Sequence, residues 1–335
     1  MNDAPFFQPP HCALVTEPMN AHTATAYEYT RVVASRRSAL QQIEVLDTPA
    51  YGRVLRIDGT TMTSEADEFF YHENLVHVPA VAHARPVHGA IIGGGDGGAL
   101  REMLKHACLE TATVIEIDPA VVEISSRYLP GIHQGAFRDP RTTLEFGDGR
   151  EWLSRQRQPL DLLLMDLTDP TGAAHALYTD EFYSLCRARL APAGVLGLHV
   201  QSPVARPRTF TRIVRTLQSV FRHVRPYFIF VPTYGTWFGM ATASMELDPL
   251  ADTAEGLCSR LEERNLGKLK YYNASTHYAG FALPNFVAEH LRADVPLVSS
   301  GAPRLDEDPE FQQWAGGHGE RQQTAGVAER CPAAV

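Results

Sequence analysis

The stretch that most constrains this chain is "AIIGGGDGGALREMLKH", which begins at Ala90. An apolar run leads into a glycine-rich loop and then into a helical pattern. Gly93, Gly95 and Gly98 fit the G-x-G-x-x-G spacing of a nucleotide-receiving strand–loop–helix unit. That geometry calls for a buried strand before the loop and a helix after it, so it commits this region to an α/β architecture. Asp96 stands inside the loop. In a dinucleotide site the pyrophosphate is held there by backbone N–H groups and the positive end of a helix dipole, and a carboxylate would repel it. The loop expects a ligand with positive charge.

The rest of the chain supports a two-part organisation. From Tyr27 to Ile57 the segments "AYEYTRVVAS", "ALQQIEVLDT" and "GRVLRIDG" alternate apolar and polar residues between turn signals, which predicts a small antiparallel sheet. "DEFFYHENLVHVPAVAH" reads as a short helix ending near Pro79. After Pro86, strands such as "ATVIEID", "TTLEFGDG" and "LDLLLMDLTDP" alternate with helices such as "PAVVEISSRYL", the pattern of a parallel sheet covered on both faces. The expected divisions are a flexible N-terminus (1–14), an N-terminal β-sheet domain (15–80), a catalytic α/β domain (81–298) and a disordered tail (299–335).

Composition narrows the partners. A formal charge of -9 over 335 residues argues against general nucleic-acid binding and favours small cationic ligands. No apolar run reaches about 18 residues, so no membrane span is expected. "MNDAPFFQPPHC" has neither a basic n-region nor an apolar h-region, so no secretion signal is expected. Five dispersed cysteines without a C-x-x-C pair read as reduced thiols of a cytoplasmic protein. The 14 histidines form no H-E-x-x-H-like pattern, and no metal is expected.

In open α/β sheets ligands bind beyond the carboxyl ends of the strands. Successive strand ends here carry Asp96, Glu116, Asp148, and Asp166 with Asp169. Glu116 follows the glycine loop by about twenty residues, where an acid accepts hydrogen bonds from ribose hydroxyls. Asp118, before Pro119, reads as a helix N-terminal residue. Asp148-Gly149 reads either as a turn or as a contact to the base, and strand register favours the second. In "MDLTDP", Asp166 and Asp169 are close enough in sequence to raise each other's pKa, which prepares one as a general base; a cap acid plus a turn acid is the bland alternative. A site edged with carboxylates, without a lysine or arginine cluster, suits a sulfonium nucleoside such as S-adenosylmethionine or its decarboxylated form.

Taken together, "GRVLRIDG", "DEFFYHENLVHVP", "IIGGGDGGALREMLKH", "VIEIDPAVVE", "DGREWL" and "MDLTDP" resemble the polyamine aminopropyltransferases, the spermidine synthase family. "VPTYG" and "KLKYYNASTHYAGFALP" are similar to later motifs of that family, and the resemblance spans about Val15 to Leu291. It implies a Rossmann-like (class I methyltransferase-like) domain preceded by the small β-sheet domain, and a homodimer or homotetramer built through that sheet. It implies transfer of an aminopropyl group from decarboxylated S-adenosylmethionine, a co-substrate, to a di- or polyamine, with putrescine the first candidate and methylthioadenosine released. No other cofactor is implied. Carried over by motif, Gln41, Gly93, Gly95, Asp96, Glu116, Asp148 and Gly149 would hold the donor. Tyr71, His72, Asp96, Asp166, Asp169 and Tyr234 would face the acceptor, with Asp166 as general base.

Several positions depart from the family pattern. Leu167 and Ala173 replace a hydroxyl residue and a proline of the "DLTDPTGA" loop, His199 and Gln201 replace a glutamine and a glutamate on the next strand, and Gly235 and Trp237 follow "PTY" where a proline is usual. The donor half therefore reads as intact and the acceptor half as altered. An S-adenosylmethionine-dependent amine N-methyltransferase is the alternative, disfavoured because Asp96 and Asp166 would repel the donor's carboxylate by about 1 kcal/mol or more each. A catalytically inactive polyamine- or nucleoside-binding module is a third reading, and an NAD-dependent enzyme the weakest.

Overall fold

The computed structural model describes residues 13–20 and 23–310. Strands β1 (Ala13–Pro18) and β2 (Ala24–Tyr29) pair as a hairpin. Strands β3 (Arg31–Arg37), β4 (Gln42–Thr48), β5 (Gly52–Ile57) and β6 (Thr60–Ser64) form an antiparallel meander. The β5–β6 turn is Asp58-Gly59, both with positive φ (48° and 82°), as a tight hairpin turn requires.

The chain then runs through α1 (Glu68–Ala82), β7 (His88–Gly93), α2 (Gly98–Leu104), β8 (Thr111–Glu116), α3 (Pro119–Tyr128), α4 (Pro130–His133), β9 (Thr142–Phe146) and α5 (Gly149–Arg155). It continues through β10 (Leu160–Asp166), α6 (Asp180–Arg189), β11 (Leu190–Gln201), α7 (Pro207–Val220), β12 (His223–Val231) and β13 (Thr236–Ser244). Three short helices follow, α8 (Ala254–Glu263), α9 (Ala274–Gly280) and α10 (Asn285–His290). The large sheet has the order β12-β13-β11-β10-β7-β8-β9. Strands β7 to β11 are parallel, while β13 lies antiparallel between β11 and β12. The sheet is thus mixed rather than wholly parallel, because the short turn at Pro232–Tyr234 joins β12 to its neighbour without a crossover.

Side chains alternate across the sheet with the period of two that strands impose. Ile91, Val114, Leu162 and Leu164 face α1 and α2, and Ile92, Ile115, Leu163 and Met165 face α6 and α7. The meander rests on α3: Ile43, Val45, Leu55 and Ile57 pack against Ala120, Val121 and Ile124. That contact hangs the N-terminal sheet over the carboxyl ends of β7 and β8. No helix among the described residues is long and apolar enough to cross a membrane.

Three expectations are corrected. Helix α1 continues through Pro79 to Ala82, and it packs in the core of the large sheet instead of with the N-terminal domain. Asp67, at its start, accepts from the Ser64 hydroxyl at 2.6 Å and from the Thr233 amide at 2.7 Å, which fastens α1 to the turn before β13. Ala13 and Leu14 belong to β1 rather than to a flexible end; residues 1–12 lie outside the described residues. The tail from Ser299 is packed as far as Glu310. Arg212 of α7, fully buried, donates to the carbonyls of Pro296, Pro303 and Arg304 and to the Asp308 carboxylate, so a buried cation organises this segment. Residues 311–335 lie outside the described residues. His77 of α1 and His106 are buried: His77 bonds Glu102 at 2.8 Å and His106 at 3.0 Å.

Candidate active site

A cleft of about 550 Å³ lies between the carboxyl ends of β7, β8, β9 and β10 and the overhanging N-terminal sheet. Gln41, Gly93, Gly95, Asp96, Glu116, Asp148 and Gly149, nominated for the donor, all line it. So do Tyr71, His72, Asp166, Asp169 and Tyr234, nominated for the acceptor.

The glycine loop is built for close approach. Gly93 has φ +83°, and a Cβ there would run into the Asp166 carbonyl. The Gly94 amide donates to that same carbonyl at 2.9 Å, which locks the loop to the end of β10. A Cβ on Gly95 would lie 2.7 Å from Glu116 Oε2. The question posed by Asp96 has a local answer: its Oδ1 accepts from the Gly98 amide at 2.7 Å at the start of α2. The loop's own carboxylate thus occupies the helix N-terminus that a phosphate would otherwise take.

Glu116 is 7% exposed, and burial pushes its carboxyl up to about 7 against the backbone amides that favour the charged form, among them Asp118 N–H at 3.0 Å. Asp118 caps α3 through the Ala120 amide, as its position before Pro119 predicts. Asp148 caps α5, with Oδ1 accepting from Arg150 and Glu151, so it is a helix cap and a cleft residue at once. A Cβ on Gly149 would overlap the Ile92 side chain.

The acids converge at the far side of the loop. His72, Asp96 and Asp166 each offer an atom within 4.8 Å of the others. His72 is held from behind: Nδ1 meets Glu68 at 2.7 Å, and Arg101 donates to Glu68 at 2.8 Å. His72 Nε2 faces Asp96 at 3.4 Å. Burial alone would lower the imidazole pKa, but the Asp96 and Glu68 carboxylates raise it well above the usual value, which favours the protonated form of His72. Burial first and the Asp96 charge second push Asp166 up to about 7, with His72 and the Tyr71 phenol pulling the other way. Its Oδ2 is buried and has no hydrogen-bond partner in the protein. His199 Nδ1 is the other cleft-lining polar atom among the described residues that is buried without a partner.

On the side nominated for the acceptor, the structure adds partners that the sequence did not indicate. Asp169 does not cap a helix. It accepts from Arg206 Nη1 at 2.8 Å and from Gln201 Nε2 at 2.9 Å, and these partners hold it below the usual carboxylate range although burial works against them. Arg206 lines the cleft and was missed in the sequence, where a lone arginine 37 residues beyond Asp169 gives no signal. Glu17 of β1 also lines it and was likewise missed; its carboxylate accepts from the Thr61 amide at 2.9 Å. His199 Nε2 lies 2.8 Å from the Tyr178 hydroxyl and 3.1 Å from the Leu167 carbonyl, so it supports the loop between the two aspartates. The Tyr234 hydroxyl is committed to the Met62 carbonyl at 2.6 Å. Trp237, one of the departures from the family pattern, is 42% exposed and stacks on Phe228 outside the cleft. The loop "TGAAHA" is a 3-10 helix, Gly172–Tyr178; the Ala173 side chain lies outside the described residues.

The strand order with its antiparallel β13, and the cleft at the strand carboxyl ends, define a Rossmann-like, class I methyltransferase-like domain. Residues 68–251 match the spermine/spermidine synthase domain, and residues 15–65 match the spermidine synthase tetramerisation domain. The polyamine aminopropyltransferase of Nitrosomonas europaea is 44% identical over 285 residues, 85% of this chain and 88% of the relative. That of Thermotoga maritima is 39% identical over 264 residues, 78% of this chain and 87% of the relative. A crystal structure of spermidine synthase in complex with the transition state analogue AdoDATO superposes with a TM-score of 0.80 at 36% identity, covering 85% of this chain and 96% of that one. Spermidine synthase from Thermotoga maritima gives 0.77 at 35% identity, covering 85% and 95%. The chain belongs to the spermine/spermidine synthase family, and it is a transferase.

Proposed function

We propose that this protein transfers the aminopropyl group of decarboxylated S-adenosylmethionine to a primary amine of a di- or polyamine, putrescine being the reference acceptor. The observation that carries the reading is the Asp166 carboxyl, buried, raised to about 7 and facing Asp96 and His72 across the glycine loop. An alkylammonium has a pKa near about 10 and no lone pair to attack with. Asp166 takes its proton; the freed amine attacks the carbon next to the sulfonium in line. The new C–N bond forms as the C–S bond breaks, and its electron pair leaves on sulfur as neutral methylthioadenosine. Asp96, whose charge His72 only partly offsets, receives the ammonium of the donor's aminopropyl arm. Glu116 and Gln41 hold the ribose, and Asp148 and Gly149 hold the adenine edge. Tyr71, Tyr234 and Asp169 border the acceptor.

His72, Asp96 and Asp166 include donor types that metals use, but the raised imidazole favours the protonated form, which has no lone pair for a metal. The cation this cluster suits is an ammonium. Assembly as a homo-oligomer through the N-terminal sheet is part of the same reading, supported by the match of residues 15–65 to a tetramerisation domain.

The test is a mass-spectrometric product assay, run with and without a chelator. Purified protein is given decarboxylated or intact S-adenosylmethionine with a panel of amines. The expected products are methylthioadenosine and an aminopropylated amine from the decarboxylated donor alone, with the chelator without effect. A methylated amine with adenosylhomocysteine would replace this reading by the methyltransferase one.

A further inference from the structure

We propose that Arg206 sets the acceptor class of this enzyme, admitting primary amines whose far end is a neutral polar group and weakening the selection for a second ammonium. The proposal rests on the aminopropyl-transfer reading above and deepens it. An α,ω-diamine surrenders one proton at the attacking nitrogen, while its other nitrogen stays charged and needs a counter-charge. Asp169, just beyond the base, is the carboxylate placed to supply it. Here that carboxylate is already taken.

Asp169 Oδ2 receives Arg206 Nη1 at 2.8 Å, Asp169 Oδ1 receives Gln201 Nε2 at 2.9 Å, and Arg206 Nη1 donates to Gln201 Oε1 at 2.9 Å. The three side chains close a ring of net charge zero. An ammonium arriving at Asp169 meets a carboxylate and a guanidinium at similar range, so attraction and repulsion largely cancel. The ring does not open readily. Arg206 is 6% exposed, a guanidinium does not lose its proton, and separating the pair would leave a buried charge uncompensated.

The neighbouring wall is neutral and polar: the Ser202 and Thr236 hydroxyls bond each other at 3.1 Å and both line the cleft. It can receive a hydroxyl or an amide as readily as a charge. One further acid faces this region, Glu17 of β1. Its carboxylate is engaged by the Thr61 amide, and burial favours its neutral form despite the Arg56 guanidinium nearby. It therefore enters the test as the rival anchor.

The experiment measures kcat/KM with decarboxylated S-adenosylmethionine for putrescine and for 4-aminobutanol, its analogue with one amine replaced by a hydroxyl. The variants are Arg206→Gln, Arg206→Lys, Gln201→Glu and Glu17→Gln. Wild type is expected to favour putrescine by no more than about tenfold. Arg206→Gln is expected to widen that preference by about ten- to a hundredfold, through a lower KM for putrescine, while Arg206→Lys keeps the wild-type ratio. Gln201→Glu gives the ring a net negative charge and is expected to widen the preference as well, which tests the idea should Arg206→Gln fail to fold. A wild-type preference above a hundredfold that Arg206→Gln and Gln201→Glu leave unchanged, or that Glu17→Gln abolishes, would overturn the proposal. Methylthioadenosine from no amine at all would instead overturn the aminopropyl-transfer reading beneath it.

Discussion

Asp166 ends β10 and Asp96 sits in the loop after β7, 70 residues earlier, yet their carboxylates offer oxygens within 4.8 Å of each other. The register of β7 on β10, which sets Gly93 beside Asp166, brings them together. Two like charges at that range cannot both ionise cheaply in a buried site, and Asp166 bears the shift because His72 stabilises Asp96.

A pH profile follows from that asymmetry. The base works deprotonated, so kcat/KM should rise with pH through a midpoint near 7, the value to which burial and Asp96 push Asp166. Asp96→Asn removes the repulsion and should move the midpoint down by about one unit, whatever it does to the donor's KM. A midpoint that stays in place would show that Asp96 does not set it.

Gly98 makes a structural prediction of the opposite sign to helix propensity. In an ordinary helix, Gly→Ala stabilises by about 0.5–1 kcal/mol. At Gly98 the Cβ would fall on the His72 ring. Gly98→Ala should therefore destabilise by about 1–3 kcal/mol, read as a lower denaturant midpoint, and should slow turnover by displacing His72. Combined with His72→Ala, the same substitution should cost little.

Glu116 predicts a trade between stability and binding. Its folded pKa of about 7 lies above the 4.5 of an unperturbed glutamate, so the folded state holds a proton that the unfolded state releases. The resulting penalty is absent below about pH 4.5, grows as pH rises, and is complete above about 7. Glu116→Gln should thus stabilise the protein at pH 8 by on the order of 2–3 kcal/mol and by little at pH 4.5. The same variant should weaken nucleoside binding by at least about tenfold, measured by calorimetry with methylthioadenosine, because the ribose loses its charged acceptor.

Arg212 ties the 299–310 segment to α7. Arg212→Met leaves Asp308 buried without this cation and several carbonyls without a donor, and should lower stability by about 3–5 kcal/mol. A urea titration that finds less than about 1 kcal/mol would mean the segment is not held as described.

The residues nominated for the donor were legible as neighbours in one cleft because their pattern is local in sequence. Each acid follows its own strand directly, as Glu116 follows "ATVI" and Asp166 follows "LLLM", and the strand-end rule gathers them without knowledge of distant contacts. The glycine spacing and the Pro119 after Asp118 are equally local. What escaped was built from long-range pairing. Arg206 meets Asp169 only because β11 returns beside β10, and Glu17 reaches the cleft only because the first hairpin folds over it. Helix α1 is buried on nearly every side, its polar residues Glu68, His72, Glu73, Asn74 and His77 included, and a helix buried all round shows no stripe that would assign it to one domain. The packed tail was unreadable for a related reason: besides Leu305, which joins the core, its contacts are polar bonds, among them those to Arg212, Arg208, Thr209 and Glu181, which leave no hydrophobic periodicity.

The central claim is that Asp166 accepts the proton of the attacking amine, and Asp166→Asn tests it most directly. The asparagine keeps the shape of the side chain and removes its basicity. Turnover with decarboxylated S-adenosylmethionine and putrescine should fall by about two to four orders of magnitude, while the donor's Kd by calorimetry stays within a few-fold of wild type. Turnover that survives the substitution would contradict the account.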